Sequence, residues 1–332
     1  MIENNGSQKE EIRYLTYGEA LELVKDLTSE KLFSSPRVVR KYTEHLAKSR
    51  GKYIRAASLL ACAMNDEGLV HPDAAHLAAA IEILHLATLV HDDVIDDADI
   101  RRGLPTVQKK FGKKTAVICG DYLLCVALKM AVSTDKGKEF PDIRMPDYVM
   151  KICSGELMQH LNAGNFELSP YEYLKIISGK TAELFEASFH AGAYLSGRSR
   201  SEITIYRRLG HYLGMIFQLT DDCLDFEAAE DDIGKPVLSD FEKNVMTLPI
   251  IHAFRKVAGL KDKAVKSGIS ANEILEGVKA AASLEYTRSV AKKYYAKYLK
   301  LLETLPAAEC KKKILKELLD KSFRVFKGEQ RA

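Results

Sequence analysis

The chain lacks the charge excess of a nucleic-acid binder and the cysteine pattern of a disulfide-stapled secreted domain. Its 332 residues hold 49 Lys or Arg and 46 Asp or Glu, leaving a formal charge of +3. The cations are scattered apart from short runs such as Lys311-Lys312-Lys313, which read as a solvated helix face. The six cysteines (Cys62, Cys119, Cys125, Cys153, Cys223, Cys310) include no CxxC pair, so they read as small buried residues of a reducing compartment. The start, Met1-Ile2-Glu3-Asn4-Asn5, is polar and lacks the apolar core of a signal peptide. The most apolar stretch, Ala74 to Val90, is interrupted by His76, Glu82 and His85. A transmembrane segment needs roughly 20 uninterrupted apolar residues. These absences predict a soluble, cytoplasmic protein with no nucleic-acid partner and no transmembrane segment. Strand-like alternation is sparse, and there is neither a low-complexity linker nor a fixed-period repeat.

What is present is helix. Segments rich in Ala, Leu, Met and Lys carry apolar residues at three- and four-residue intervals. They run from Leu15 to Phe33, Arg37 to Ala47, Arg55 to Met64, His71 to Ile95, Thr115 to Val132 and Pro146 to Asn162. Others follow at Pro170 to Leu195, Ser201 to Glu227, Met246 to Val257, Ala271 to Ala282, Leu284 to Leu302 and Ala307 to Phe326. Gly and Pro fall between them as punctuation. Residues 1–332 therefore read as one all-α domain, a helical bundle around a central cavity.

Two acidic clusters stand out. His91-Asp92-Asp93-Val94-Ile95-Asp96-Asp97-Ala98-Asp99-Ile100-Arg101-Arg102 and Gln218-Leu219-Thr220-Asp221-Asp222-Cys223-Leu224-Asp225 each place Asp at i, i+1 and i+4. Helical residues four apart stack on one face, so Asp92 pairs with Asp96 and Asp221 with Asp225. Stacked carboxylates beside apolar surface require counter-charge. Oxygen-only sites of this kind suit Mg²⁺ shared with phosphate oxygens, which points to chemistry on a diphosphate. A solvated acidic helix end is the alternative for one such motif. Two copies, one followed by phosphate-binding guanidinium groups at Arg101 and Arg102, argue against it.

Further cations surround the clusters. Lys52 and Arg55, in Gly51-Lys52-Tyr53-Ile54-Arg55, stand where a loop enters a helix, a setting suited to anions. His85 lies two turns before Asp92, either as a core histidine or as a ligand. Lys180-Thr181 interrupts an apolar helix, Lys235 follows Gly234, and Gln218 shares the face of Asp221. Glu227, Glu230, Asp231 and Asp232 read as a solvated loop.

Taken together, HDDVIDDADIRRG, GKYIR, GDYLL, GKTAELF, FQLTDDCLDF and GKPVLSD…TLP resemble the trans-isoprenyl diphosphate synthase (polyprenyl synthetase) family, over about residues 50–252. The resemblance implies the isoprenoid synthase fold and head-to-tail (1'-4) condensation of isopentenyl diphosphate with an allylic diphosphate. It implies Mg²⁺, about three ions per site, held by Asp92, Asp96 and Asp221 with Asp93, Asp222 and Asp225 in support. Arg101, Lys180 and Lys235 would hold the allylic diphosphate, and Lys52, Arg55, His85 and Arg102 isopentenyl diphosphate. Thr181 and Gln218 would sit near the reacting carbons. A homodimer is expected, with Thr115 to Val132 as a candidate interface. The chain departs from the family pattern at three places. Ala56 stands where proline is usual, Asn244 where glycine ends D-L-x-x-G, and Val245 where many relatives carry lysine. Asn tolerates the left-handed backbone that glycine would supply.

The product tail should grow from Asp92 toward the start of its helix, past Thr88 and Ala87, then Leu84 and Ile81. Small residues at the first level leave the path open. The run His85 to Asp93 resembles long-chain relatives, implying a product of about C25–C40. Leu128 and Met130 are candidates for the floor. The competing readings are a short-chain synthase of about C15–C20, a class I terpene cyclase, and a non-catalytic subunit of a heteromeric synthase.

Overall fold

The computed structural model describes residues 12–49, 51–133, 145–231 and 238–323. Its described elements are mostly helices. They run α1 (Tyr17–Phe33), α2 (Arg37–Ala47), α3 (Ile54–Ala63), α4 (Pro72–Ile95), α5 (Val107–Phe111), α6 (Lys113–Val132), α7 (Met145–Leu161), α8 (Pro170–Ile177) and α9 (Glu183–Leu195). The second half holds α10 (Arg200–Asp231), α11 (Ser239–Glu242), α12 (Leu248–Lys256), α13 (Leu260–Ser267), α14 (Ala271–Ala280), α15 (Ser283–Glu303) and α16 (Glu309–Ser322).

Local sequence explains most starts. Thr16 with Glu19, Ser169 with Glu172 and Ser270 with Glu273 form reciprocal capping boxes at α1, α8 and α14, satisfying N–H groups that the first turn leaves without partners. Pro72 and Pro170 occupy first-turn positions, where a missing N–H costs nothing.

The α4 helix is the spine. It packs against α1, α3 and α6, while α10 packs against α9 and α15. Among its buried residues are Ala74, Ala75, Ala78, Ala79, Ala80 and Ala87, and such small side chains let neighbouring helices approach closely. Gly192 does the same for α9, since a Cβ there would collide with the Leu59 carbonyl of α3.

Several features depart from the sequence reading. Glu227, Glu230 and Asp231, read as a loop, extend α10. Lys311 is buried rather than on a solvated face, and Cys125, Cys153 and Cys310 are exposed rather than buried. The expected helix from Pro170 to Leu195 is interrupted by one π-helical turn, Ser178–Ala182. Short helices α5, α11 and α13 are too brief to produce a periodic signal. Two antiparallel two-residue pairs also form, Leu15–Thr16 with Leu69–Val70 and Ile100–Arg101 with Leu104–Pro105.

The apolar ranking also changes. The α6 window has mean hydropathy 1.7 against 1.4 for α4, and both are long and apolar enough to cross a membrane. The α4 window is 61% buried inside the protein, but that of α6 only 33%. Val117, Ile118 and Val132 of α6 face outward.

Candidate active site

Two cavities meet between α4 and α10. The first, about 560 Å³, is lined by Thr88, Asp92 and Ile95 of α4, Ile152, Glu156 and Leu157 of α7, Lys180 and Thr181 of the π turn, and Gln218 of α10. The second, about 520 Å³, is lined by Lys52, Glu82, Arg101, Arg102 and Asp221, among others. Arg55, His85, Leu89 and Phe217 line both and so form a common wall.

The second cavity gathers cations. The Arg55 guanidinium lies over the rings of Phe185 and Phe217, 4.7 and 5.8 Å from their centroids, and this stacking fixes its plane. Nη1 of Arg55 donates to Nε2 of His85 at 3.0 Å. Burial, reinforced by Arg55, Arg102 and Arg101, holds His85 well below its usual pKa, so the ring stays neutral. Nδ1 of His85 and Nε of Arg55 are buried without hydrogen-bond partners among the described residues. Two orphaned polar atoms between cations are the groups an incoming anion would satisfy. Ala56 turns its departure from the family pattern to use: its N–H, which proline would lack, donates to Glu82 at 3.0 Å.

The Arg-Arg pair sits on a hairpin. Arg102 and Gly103 both have positive φ, 51° and 76°, which suits a two-residue turn matched to strand twist. This geometry sends Arg101 back to Asp93, Nε to Oδ1 at 2.7 Å. The Arg102 side chain instead reaches the Ser49 carbonyl at 3.3 Å. Arg101, expected to hold the allylic diphosphate, lines the second cavity beside Arg102.

The six motif carboxylates fall into three pairs. Asp93 and Asp222 are buried and held by protein groups, Asp93 by Arg101 and Asp222 by Tyr173 and Gln218. Asp92 and Asp221 line the cavities. Asp96 meets Lys243 at 3.3 Å, and Asp225 accepts the Asp240 N–H at 3.2 Å. Burial pushes Asp92 up to about 7, with Glu156 and Asp96 adding to the effect and Lys180 opposing it. Asp240 is likewise pushed up to about 7 by burial and by Asp225 and Asp221, and Asp221 rises for the same reasons. Buried carboxylates gathered this closely would be relieved by a bound cation. Among the described residues no three His, Cys, Asp or Glu side chains converge into a closed metal cage. An open oxygen site of this kind fits Mg²⁺, which keeps waters and shares substrate phosphates.

The π turn presents Lys180 and Thr181. Nζ of Lys180 pairs with Glu156 at 2.8 Å, and the Thr181 hydroxyl donates to Gln218 Oε1 at 2.7 Å. Such turns add a residue to the helix and re-aim side chains.

Of the proposed chain-length residues, Thr88 lines the first cavity, four residues before Asp92 on the same face. Ala87, Leu84 and Ile81 are 1%, 2% and 0% exposed and pack within the hydrophobic core. Ala87 is one residue, about 100°, off the cavity face. Leu128 is partly buried against the same core and Met130 is buried in it, and neither lines the cavity. Lys235 lies outside the described residues.

Sequence reasoning missed Glu156, Lys243, Tyr173 and Asp240. A signal existed for Lys243: it lies two residues before Val245, where a lysine is usual, and it supplies a cation to Asp96. Asn244 has φ 59°, the left-handed conformation expected in place of glycine.

Residues 36–284 match the polyprenyl synthetase family. Component 2 of the heptaprenyl diphosphate synthase of Geobacillus stearothermophilus is 34% identical, covering 80% of this chain and 84% of that protein. The octaprenyl diphosphate synthase of Escherichia coli (strain K12) is 33% identical, covering 83% and 87%. The crystal structure of heptaprenyl diphosphate synthase from Staphylococcus aureus superimposes with a TM-score of 0.82 at 31% identity, covering 93% of this chain and 98% of that one. With this fold and this pair of cavities, the chain belongs to the polyprenyl synthetase family.

Proposed function

We propose that the two cavities divide the substrates of a prenyl transfer between them. The chain is a prenyltransferase of the trans-polyprenyl diphosphate synthase type. The observation that carries the division is the shared wall of Arg55, His85, Leu89 and Phe217. It sets a cation-lined pocket against an acidic pocket with an apolar wall.

Isopentenyl diphosphate takes the cation-lined cavity, its diphosphate met by Lys52, Arg55, His85 and Arg102, with Arg101 alongside. The allylic diphosphate lies by Asp92 with Lys180, and Thr181 and Gln218 face the reacting carbons. Lys235 is assigned to the same diphosphate from its motif. Asp92, Asp96, Asp221 and Asp225 would hold Mg²⁺, and the chemistry it supplies when bound is neutralisation of charge on the departing diphosphate. Lys180 adds a fixed positive charge at the same group. Ile95, Ile152, Leu157 and Leu184 keep water from the allylic cation, which the double bond of isopentenyl diphosphate attacks before a proton is lost.

The product is a long chain, of C25–C40. The open level at Thr88 supports this, as do the hepta- and octaprenyl relatives. A homodimer forms through the outward apolar faces of α6 (Val117, Ile118, Val132) and α7 (Met150, Leu161), and the protein works in the cytoplasm. The component 2 relative favours a second reading, in which a different subunit completes the enzyme.

The test is incubation of the isolated chain with Mg²⁺, isopentenyl diphosphate and farnesyl diphosphate, followed by product extraction. Products of C25 or longer are expected. Accumulation of shorter material alone would refute the long-chain reading, and silence relieved by a second subunit would support the heteromeric one. Turnover of the allylic substrate without isopentenyl diphosphate would indicate a cyclase. Asp92→Ala and Asp221→Ala should each abolish turnover.

A further inference from the structure

Glu156 belongs to neither aspartate cluster, yet it holds a cation of the allylic cavity. The α7 helix and the π turn cross at backbone contact, Gly155 against Gly179. A Cβ on Gly155 would lie 2.6 Å from the Gly179 carbonyl carbon and would also strike the Lys180 nitrogen. With no side chain at the crossing, the next residue of each segment stands beside the other. Those residues are Glu156 and Lys180.

The two oxygens of Glu156 lie 3.0 and 2.8 Å from Nζ of Lys180. The side chains are 16% and 24% exposed, and both line the cavity with Asp92, Thr181 and Gln218. The pair is therefore built into the wall and is not a chance surface contact. Lysine is a compact cation with three donors, and here one carboxylate engages it through both oxygens. A diphosphate arriving at Asp92 needs that same ammonium.

We propose that Glu156 is a positioning residue that holds Lys180 at the cavity wall and competes with the allylic diphosphate for it. Binding hands the ammonium from carboxylate to phosphate, and departure of pyrophosphate returns it. Glu156 thereby sets affinity for the allylic substrate and eases release of the leaving group. The inference rests on Lys180 meeting the allylic diphosphate.

The experiment uses Glu156→Gln, which keeps the shape and removes the charge, together with Lys180→Ala and the double variant. Glu156→Gln should lower KM for farnesyl diphosphate and the inhibition constant of inorganic pyrophosphate by about three- to fivefold, the worth of a partly exposed ion pair. KM for isopentenyl diphosphate should not move. In the Lys180→Ala background the Glu156 effect should vanish. An effect that persists there, or that shifts both substrates alike, would overturn the competition. If Lys180→Ala leaves KM for farnesyl diphosphate unchanged, the assignment of that cavity falls instead. Should Glu156→Gln fail to fold, Glu156→Asp, with its shorter reach, should show a smaller decrease, and an unchanged KM in folded protein would overturn the idea.

Discussion

Tyr173 donates its hydroxyl hydrogen to Oδ2 of Asp222, 49 residues further along the chain. The other oxygen, Oδ1, accepts from Gln218 Nε2 at 3.0 Å, and Asp222 is 1% exposed. A residue that the motif presents as a metal ligand is therefore turned into the protein, where it orients an amide. That amide in turn accepts the Thr181 hydroxyl. Tyr173, Asp222, Gln218 and Thr181 form one chain of hydrogen bonds from α8 to the cavity.

Removing the first donor tests this chain. Tyr173→Phe leaves a buried carboxylate oxygen without a partner, which costs about 1–3 kcal/mol. Thermal unfolding should show that loss. With Gln218 less firmly held, kcat should fall while KM for isopentenyl diphosphate stays near the wild-type value. Equal loss in Asp222→Asn would place both residues in one chain, and a variant with unchanged kcat would take Tyr173 out of it.

The crossing of α7 with the π turn separates stability from function. Gly155→Ala should cost about 1–3 kcal/mol through overpacking, and should raise KM for the allylic diphosphate because the Lys180 backbone must move. Gly192→Ala collides with α3, far from any cavity-lining residue of α9 in sequence. It should lower the melting temperature comparably with no change in KM. Scanning calorimetry alongside steady-state kinetics would distinguish the two, and matching kinetic profiles would contradict the local reading.

Helix positions were legible in the sequence where the apolar period repeats over three or more turns, as from His71 to Ile95 and from Ser201 to Glu227, whereas the continuation of α10 to Asp231, through acidic residues read as a loop, was not. The π turn was not. It lies where Gly155 and Gly179, 24 residues apart, meet at backbone contact, and no local pattern encodes that contact. The positions of Asp92 and Asp221 at the cavities were legible from motif spacing, whereas Lys52, Arg55 and His85 were weak signals by themselves and were assigned to a diphosphate only through the resemblance to the family. The inward turn of Asp93 and Asp222 was not legible, since adjacent residues on a helix point about 100° apart and only tertiary partners decide which one meets the cleft. Glu82 is a similar case. In the sequence it merely interrupts an apolar stretch, whereas in the fold it caps the backbone of α3 at Ala56.

In the proposed reading, Thr88, which lines the first cavity, marks the level at which the tail path opens on α4. Its hydroxyl donates to the His85 carbonyl at 2.8 Å, so its methyl group is free to face the cavity. Thr88→Phe should fill that level and shift products toward shorter chains. Chromatography of the extracted products from farnesyl and isopentenyl diphosphates would read the shift. An unaltered distribution would mean that the tail leaves α4 before this turn.

Lys311 offers a test of pH dependence away from the active site. Its side chain is fully buried, with Nζ bonded to the Cys62 carbonyl at 3.1 Å and the Tyr206 hydroxyl at 3.3 Å. Burial pulls its pKa from 10.5 down to about 8. Between those values the unfolded chain binds more protons than the folded one, so stability must rise with pH. Below about 8 the folded state bears the cost of a buried ammonium, and above 10.5 that cost is gone. The full change corresponds to about 3 kcal/mol. Raised thiol and phenol values at Cys62, Tyr206 and Tyr298 act in the opposite direction, so the lysine contribution is isolated by difference. Urea unfolding of wild type and Lys311→Met from pH 7 to pH 10.5 should show wild type gaining stability relative to the variant as pH rises. Parallel curves would show that the ammonium is not buried at this cost.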